Sequence, residues 1–314
     1  MIRTTILAAV LLAAGAAQAG APQQKVQAPG WYRMALGDIE VTALSDGTVA
    51  LPVEKLLTGT TPKKVEAALA RWRMGTPVET SVNGYLINTG AKLVLVDAGA
   101  GGLFGPTLGK LVANLKAAGY QPEQVDEIYI THMHPDHVGG LAADGKPVFP
   151  NAIVRADQHD ADFWLSQANL DAAPKDSKGF FQGAMASLKP YVDAGKFKAI
   201  EADGELVPGV SSVATFGHTK GHRNYVVESK GQKLVLWGDL MHVAAVQFAT
   251  PAVTIAFDTD SKAALAQRRK AFAAAAKGGY WIGASHLSFP GLGHLAPQGS
   301  GYQFQPANYT ALNP

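Results

Sequence analysis

Residues 131–137 read THMHPDH, which places three histidines and one aspartate within six consecutive positions. The stretch directly follows a short apolar segment, Glu127 to Ile130, that has the character of a buried β-strand. Imidazole and carboxylate groups are ligands that zinc and similar divalent metals favour. Because the whole chain has only nine histidines, three in one window at a strand end predict a metal site rather than scattered surface histidines.

The geometry of this stretch indicates how one short segment can serve two metal positions. Alternate residues of an extended chain point to the same side, so the first two histidines are expected to act together. Pro135 ends the strand, and the turn after it can bring Asp136 and His137 to a second position. The glycines at 139 and 140 would let another segment pass close by.

Further metal-binding side chains follow later apolar segments. His218 lies in an FGHTKGH stretch, Asp239 closely follows the apolar run 233–237, and His286 ends a GASH stretch. Each is positioned just past the end of an expected strand, where functional side chains of layered folds collect. We therefore expect these three residues to join the histidine motif.

The pattern of apolar residues predicts an α/β layered fold with its site on one edge. Branched or alternating apolar runs predict strands at 38–44, 83–88, 92–97, 127–130, 207–215, 225–228, 233–237 and 281–284. Helical spacing predicts helices at 107–118 and from a cap at Asp260 or Ser261 through Ala274, with Gly278 and Gly279 as the stop. Strands and helices alternate, as in α/β proteins.

The composition bounds the class of protein. The 314 residues are 47% hydrophobic and 17% charged, and residues 20–314 are predicted to form a single domain. A net charge of +2 without any run of Lys or Arg gives no case for a nucleic-acid or membrane partner. The chain has no cysteine, so it has neither disulfides nor the cysteine that a lipoprotein needs.

The N-terminus, residues 1–19, is predicted to be a signal peptide. Arg3 supplies a positive start, Ile6 to Ala17 is apolar, and an Ala-Gln-Ala cleavage site ends at position 19. A membrane anchor is the alternative, but the apolar run is shorter than the ~20 residues that a bilayer span needs. We expect a periplasmic or secreted protein whose residues 20–30 form a loose arm.

The order of the metal-binding residues resembles the metallo-β-lactamase superfamily. H-x-H-x-D-H is followed by a His, an Asp and a His, and the resemblance extends from Asp38 to His286. It implies an αββα four-layer sandwich and two divalent metal ions, with zinc favoured and manganese, cobalt or iron as alternatives. It further implies one metal held by His132, His134 and His218, a second held by Asp136, His137 and His286, and Asp239 bridging the two.

A more specific resemblance is to methyl parathion hydrolases and the related lactonases and arylesterases. It is carried by LVD at 95–97, GLFGP at 102–106, GHTKGH at 217–222 and SFPGLGH at 288–294. It implies an exported homodimer that hydrolyses aryl esters, lactones or aryl phosphotriesters. It also implies aromatic substrate contacts from Phe104, Trp164 and Phe180.

The resemblance also implies a mechanism. Two ions bridged by Asp239 would share a water and lower its pKa, so that hydroxide forms without a Ser or Cys nucleophile. Asp136 is a further catalytic candidate, because its carboxylate could transfer a proton. The superfamily's β-lactamases usually have Cys or Ser where this chain has Asp239, which disfavours that activity. A metal-binding protein without catalysis is disfavoured because a carrier needs no water-activating pair.

Substrate preference depends on the pocket. The residues expected to line it include large ones, namely Leu56, Leu57, His242, Ile255 and Phe257. A filled pocket suits a flat lactone or aryl ester, such as dihydrocoumarin, better than a phosphotriester with three arms. A lactonase or arylesterase with phosphotriesterase as a side activity is therefore favoured. The alternatives are a primary organophosphate hydrolase, an acyl-homoserine lactonase and a β-lactamase.

The remaining histidines are assigned other roles. His222 follows a proposed ligand by four residues and is interpreted as an outer or structural residue. His159 is expected in solvent, and His294 is expected to be structural. His242 either faces the pocket or is a hydrogen-bonded core residue.

Overall fold

Two seven-stranded sheets form the centre of the protein, which is described for residues 21–312 by a computed structural model. The first sheet has the order β1-β2-β4-β5-β6-β9-β10, with strands β1 Trp31–Leu36, β2 Ile39–Leu51, β4 Val78–Asn88, β5 Leu93–Val96, β6 Glu127–Tyr129, β9 Ile153–Asp157 and β10 Phe197–Ile200. The second has the order β11-β12-β13-β14-β16-β17-β18, with β11 Gly204–Val207, β12 Val210–Ala214, β13 Arg223–Ser229, β14 Gln232–Leu236, β16 Trp281–Gly283, β17 Leu292–Gln298 and β18 Gly301–Pro306. Two short ladders pair β3 Leu57–Thr58 with β15 Thr254–Ile255, and β7 Ala142–Ala143 with β8 Lys146–Pro147.

Helices cover the outer faces of both sheets and the rim. They are α1 Val53–Leu56, α2 Pro62–Arg71, α3 Leu111–Ala117, α4 Pro135–Val138, α5 Gln158–Trp164, α6 Gln167–Ala172, α7 Lys178–Asp193, α8 Ala244–Gln247 and α9 Ser261–Gly278, with 3₁₀ turns at Pro122–Gln124, Gly139–Leu141 and Lys175–Ser177. Among the helices of residues 21–312, none is long and apolar enough to span a bilayer.

Side chains alternate between the two faces of each strand, and this alternation determines which layer of the core each residue joins. In β5, Val94 and Val96 face the core between the two sheets, whereas Leu93 and Leu95 face the core beneath α3, α5 and α7. Both faces of this strand are buried, which explains its continuous apolar sequence. The second sheet packs its other face on α9 through a core that includes Phe272. The predicted αββα four-layer sandwich is confirmed.

Several predicted element bounds need correction. Strand β2 continues to Leu51, seven residues past the predicted end. The predicted strand 207–215 is two strands, since Gly209 turns the chain with φ +83°. Helix α3 begins at Leu111 rather than at 107, because the buried Asp46 accepts hydrogen bonds from the backbone N–H groups of Gly109 and Leu111 and holds a loop there.

Helix α9 is longer than predicted but is bounded by the predicted residues. The Asp260 carboxylate accepts hydrogen bonds from the backbone N–H groups of residues 262 and 263 at 3.0 Å and caps the N-terminus. Gly279 ends the helix in the left-handed conformation at φ 62°.

The N-terminal predictions fall largely outside the described part of the chain. The predicted signal peptide, residues 1–19, lies outside the described residues and stays a prediction. Residues 21–30 are largely exposed and belong to no helix or strand, in keeping with the predicted arm.

Candidate metal centre and active site

Four strand ends and one loop bring the proposed ligands and the buried carboxylate of Asp97 to one edge of the sandwich. In the first sheet, β5 leads into Asp97 and β6 into the motif at 131–137. In the second sheet, β14 leads toward Asp239 and β16 toward His286. The loop between β12 and β13 contributes His218. Both sheets are therefore needed to assemble the site.

Pro135 gives the histidine motif its shape. His134 is extended, with φ −70° and ψ 151°, and Pro135 begins helix α4 immediately after it. This helix carries Asp136 and His137, whose donor atoms belong to a different group from those of His132 and His134. Gly140 lies so close to Ala98 that a Cβ would meet its carbonyl oxygen at 2.0 Å, which confirms the predicted close passage.

The donor atoms form two groups around one carboxylate. His132, His134, His218 and Asp239 form the first, and Asp136, His137 and His286 form the second, with the ligand atoms of each group within 4.8 Å of one another. Oδ2 of Asp239 lies 3.3 Å from Nε2 of His218 and 3.1 Å from Nε2 of His286. Its Oδ1 lies 3.3 Å from Nε2 of His137. One carboxylate thus contacts histidines of both groups, as a bridging ligand must.

Hydrogen bonds outside the cluster hold four imidazoles in one tautomer. The Nδ1 partners are Thr131 Oγ1 for His132 at 3.1 Å, Asp97 Oδ2 for His137 at 2.8 Å, Asp258 Oδ1 for His218 at 2.8 Å and the Ser81 carbonyl for His286 at 2.9 Å. Carboxylate and carbonyl oxygens can only accept, so the imidazole proton lies on Nδ1. The Thr131 hydroxyl donates to Asp97 and therefore also accepts from its histidine. Each Nε2 is thereby directed toward Asp239, and it can bind a metal ion once it carries no proton.

The centre favours positive charge. Within residues 21–312, Nε2 of His132, Nε2 of His137 and Oδ1 of Asp239 are buried without a hydrogen-bond partner. Burial would raise the pKa of Asp239, but the surrounding imidazoles outweigh it and hold that pKa well below its usual range. Burial lowers the pKa of His218, but hydrogen bonds to Asp239 and Asp258 outweigh it and raise the pKa to about 9. Divalent cations would supply this charge, so the residues fit two metal ions.

His242 differs from the other histidines of the cluster. Its ring stacks on His286 with centroids 5.1 Å apart, and its Nε2 lies 3.0 Å from Asp239 Oδ2. Among the described residues its Nδ1 has no partner, so the carboxylate favours the proton on Nε2. Burial lowers its pKa to about 4, so the ring is neutral near pH 7. His242 could form a third group with Asp239 and His286, but this tautomer makes it a hydrogen-bond donor rather than a ligand.

His222 supports the backbone of Asp239. Its Nε2 accepts a hydrogen bond from the Asp239 N–H at 3.0 Å, and its Nδ1 is 2.8 Å from the Thr215 hydroxyl. Both ring nitrogens are occupied, in agreement with the predicted structural role. His159 is largely exposed and His294 lies in β17, as their predicted roles require.

Asp160 joins the two ligand-bearing loops. Its carboxylate accepts hydrogen bonds from the N–H of Met133 at 3.0 Å, the hydroxyl of Thr219 at 2.9 Å and the N–H of Gly221 at 2.6 Å. Burial raises its pKa to about 6. The carboxylate therefore fixes the histidine motif relative to the loop that holds His218.

An apolar cavity of about 140 Å³ lies directly against the cluster, and we call it the reaction pocket. Its wall contains Val49, Leu51, Phe104, Leu108, His134, Asp136, Phe180, Asp239, His242, Phe257 and His286. It is smaller than the roughly 300–1,000 Å³ of pockets that enclose drug-sized ligands. The reaction pocket can therefore enclose only a small reacting group.

The predicted substrate residues divide into three sets. Phe104, Phe180, His242 and Phe257 line the reaction pocket. Trp164 lies 5.3 Å from the His134 ring but lines a neighbouring cavity instead. Leu56, Leu57 and Ile255 do not line the pocket wall, so their placement there needs correction. Leu57 and Ile255 face each other in the β3–β15 ladder, and all three pack in the small core formed with α1, α2 and α8.

Some functional positions were not predicted. Val49 and Leu51 reach the pocket because β2 is longer than expected. Asp97 carried a usable signal, since it is a charged residue that ends a buried strand. Asp258 and Ser81 carried none, because each meets its histidine only through tertiary structure.

The fold and donor set define an α/β protein with a cluster suited to binding two metal ions. The family model described as Metallo-beta-lactamase superfamily matches residues 77–286, a range that includes every proposed ligand. The chain belongs to the metallo-β-lactamase superfamily.

Curated relatives cover only part of the chain. An N-acyl homoserine lactonase of Bacillus cereus is 31% identical over 127 residues, which are 40% of this chain and 42% of that protein. Another N-acyl homoserine lactonase, of Bacillus sp., is 29% identical over 171 residues, 48% of this chain and 60% of that protein. The chain thus spans about half the length of the curated relatives that it matches.

Solved structures match nearly the whole chain. The crystal structure of the hydrolase AbOPH in the beta lactamase superfamily has a TM-score of 0.87 and 38% identity, covering 91% of this chain and 100% of that chain. AidC, a dizinc quorum-quenching lactonase in complex with the product N-hexnoyl-L-homoserine, has a TM-score of 0.83 and 26% identity, covering 90% and 99%.

Proposed function

We propose that this protein is a dinuclear metal-dependent hydrolase that acts on lactones or aryl esters. The observation that carries the proposal is a small apolar pocket whose floor is the His/Asp cluster. A substrate in that pocket would present its ester group to the metal positions. The similarity to a dizinc lactonase over 90% of the chain supports the proposal.

The proposed ligands are those predicted from the sequence. His132, His134 and His218 would hold one ion, Asp136, His137 and His286 the other, and Asp239 would bridge them. Two divalent ions, which we propose to be zinc, would when bound supply Lewis acidity that polarises an ester carbonyl and lowers the pKa of water.

The protein's own residues would orient the substrate and exclude water from the reacting group. Phe104, Phe180 and Phe257 surround the reaction pocket and keep bulk water away from the reacting group. Asp136 lines the pocket and its side chain is 20% exposed, so its carboxylate can accept a proton released during attack. His242 holds Asp239 through an Nε2–H hydrogen bond and forms part of the wall.

The size of the pocket favours a flat substrate. A phosphotriester carries three arms on a tetrahedral phosphorus, and 140 Å³ leaves little room for them. A lactone ring or an aryl ester presents a planar carbonyl that enters edge-on. Phosphotriester hydrolysis is therefore proposed as a side activity, with primary organophosphate hydrolysis as the alternative.

A substrate panel tests the proposal. Metal-loaded protein is assayed with dihydrocoumarin, an acyl-homoserine lactone, p-nitrophenyl acetate, methyl parathion and nitrocefin. We expect the highest kcat/KM for the lactones or the aryl ester and none of significance for nitrocefin. Protein treated with chelator is the control and should lose all activities together.

Two results would contradict the proposal. Methyl parathion as the best substrate would favour the organophosphate alternative, and nitrocefin as the best would favour a β-lactamase. Hydrolysis that persists after complete metal removal would contradict metal dependence itself.

Export and a homodimeric state are also proposed, on the sequence alone. Fractionation of cells that express the full chain tests export, since the periplasmic or secreted form should lack residues 1–19. Sedimentation velocity tests the dimer.

A further inference from the structure

A cavity of about 300 Å³ lies on the outer face of the second sheet, beside helix α9, and we call it the outer cavity. Strands β12, β13 and β14 form its floor, and α9 and Tyr280 complete its wall. It shares no lining residue with the reaction pocket. Its volume is at the lower end of the roughly 300–1,000 Å³ typical of small-molecule sites, so it can enclose a compact ligand.

The outer cavity has one positive charge available for a ligand. Of the described residues that line it, Lys233 and Lys270 are charged and none carries a carboxylate. The Lys233 ammonium lies 3.3 Å from the Glu228 carboxylate and is thereby neutralised. Lys270 is exposed on α9 and forms no ion pair within residues 21–312. One free ammonium matches a ligand with a single negative charge better than a dianion such as phosphate.

The floor of the outer cavity is apolar. Val213, Val226 and Val235 contribute to it from three adjacent strands. Val213 is 38% exposed, so part of this apolar surface is open to water. A ligand with an apolar body would cover that surface and gain free energy by doing so.

Two side chains of the cavity wall have hydrogen-bond donors to spare. Trp237 is fully buried, and its indole N–H has no partner in the part of the chain that the structure describes. The Asn224 amide oxygen accepts a hydrogen bond from the Thr215 hydroxyl at 3.1 Å, but its Nδ2 donates to no residue within 21–312. A ligand with acceptor oxygens would give such donors a partner.

A chain of hydrogen bonds connects this wall to the metal centre. The Asp239 N–H donates to Nε2 of His222 at 3.0 Å, and burial lowers the pKa of His222 to about 3. The neutral ring therefore has its proton on Nδ1, which donates to the Thr215 hydroxyl at 2.8 Å. That hydroxyl in turn donates to Asn224. All three bonds run in one direction, so each strengthens the next.

We propose that the outer cavity binds an apolar monocarboxylate, and that this binding strengthens the hydrogen bond that holds the Asp239 backbone. The carboxylate faces Lys270 and Asn224, and the apolar body covers the valine floor. A carboxylate that accepts from Nδ2 of Asn224 makes the amide oxygen a stronger acceptor for Thr215. The effect passes through His222 to the Asp239 N–H.

Binding is tested with hexanoate on metal-loaded protein. The chain has five tryptophans, and the indole N–H signal of Trp237 is assigned in NMR spectra by comparison with Trp237→Phe. Hexanoate should shift this signal in a saturable manner. Acetate should bind about tenfold more weakly because it lacks most of the apolar body. Hexanol, which lacks the charge, should bind about three- to fivefold more weakly than hexanoate.

Two pairs of variants locate the site on α9. Lys270→Gln should weaken hexanoate binding about three- to fivefold, whereas Lys277→Gln, also exposed on α9 but outside the cavity wall, should not change it. Ala274→Trp places a large ring in the cavity and should abolish binding. Ala273→Trp is its matched control, because residue 273 is exposed on the same helix and does not line the cavity.

Hydrogen exchange tests the connection to the metal centre. Saturating hexanoate should slow exchange of the Asp239 amide about twofold. Thr215→Val removes the hydroxyl from the chain of hydrogen bonds and should abolish this slowing while hexanoate still shifts the Trp237 signal. Thr215→Ser keeps the hydroxyl and should restore the slowing.

Melting temperature is measured for every variant, so that Lys270→Gln decides the binding question if Ala274→Trp fails to fold. The absence of a saturable shift would overturn the proposal, as would unchanged hexanoate affinity in both variants. Slowing of Asp239 exchange that persists in folded Ala274→Trp would also overturn it, because hexanoate would then act at the metal cluster. Neither measurement needs hydrolytic activity, so its result is independent of the proposed function.

Discussion

Asp97→Asn tests whether outer hydrogen bonds set the metal affinity of the cluster. Asp97 is buried, and its carboxylate accepts three hydrogen bonds of 2.8 Å, from the Thr131 N–H, the Thr131 hydroxyl and Nδ1 of His137. The substitution preserves size and shape but replaces one acceptor oxygen by an NH₂ group. In either orientation of the amide, an N–H must then oppose an N–H.

The size of the effect follows from those contacts. If the NH₂ group faces His137, the imidazole proton is driven to Nε2, the atom that would bind metal. Loss of such an outer partner typically lowers metal affinity about 10- to 100-fold. The variant also loses at least one hydrogen bond to a charged group, which contributes about 1.5–3 kcal/mol to stability. Affinity is measured by competition with a chromophoric chelator, and stability by urea unfolding of the apoprotein.

Asp46→Asn is the matched control. Asp46 is as buried as Asp97 and also accepts three hydrogen bonds, from the N–H groups of Ala100, Gly109 and Leu111, but none from a histidine. It should lose a similar amount of stability while keeping metal affinity within about threefold. Equal metal affinities in the two variants would refute the idea that Asp97 sets the His137 tautomer.

Three further outcomes are expected. Elemental analysis of protein purified without chelator should find about two transition-metal ions per chain, and a ratio that never exceeds one after reconstitution would rule out the dinuclear centre. Asp239→Ala should remove metal and activity together. His222→Ala should lower the metal content less, because His222 supports the Asp239 backbone and is not itself a proposed ligand. A larger loss of metal in His222→Ala than in Asp239→Ala would show that the ligand assignment is wrong. His242→Leu should raise the ratio of phosphotriesterase to lactonase kcat/KM about 10- to 100-fold, because it removes a polar tip worth ~1–3 kcal/mol from the pocket wall. An unchanged ratio with a lower melting temperature would instead show that His242 acts only in packing.

Local sequence was sufficient for features whose cause is local. The run Leu93 to Val96 is apolar at every position because both of its faces are buried, and such a run can be read directly as a central strand. Helix α9 was recognisable from its ends, since a carboxylate cap and a left-handed glycine act within a few residues. The motif at 131–137 predicted a metal site because its donors are adjacent in the chain.

The order of later histidines and aspartates extended this to the whole cluster. His218, Asp239 and His286 were selected because each follows an apolar segment, and strand ends of an α/β fold meet at one edge. The structure brings these residues to the motif, with candidate ligand atoms within 4.8 Å in each group. The superfamily and the αββα sandwich were likewise predictable.

Only the tertiary structure decided what surrounds the cluster. Asp258 and Ser81 set histidine tautomers across 40 and 205 positions of sequence, and no local pattern marks such pairs. Leu57 and Ile255 were expected in the pocket but face each other in a short ladder behind it, because cross-strand register depends on how distant segments align. The chain thus specifies its donors by local chemistry. Their tautomers, and the reaction pocket beside them, arise from contacts between residues that only folding brings together.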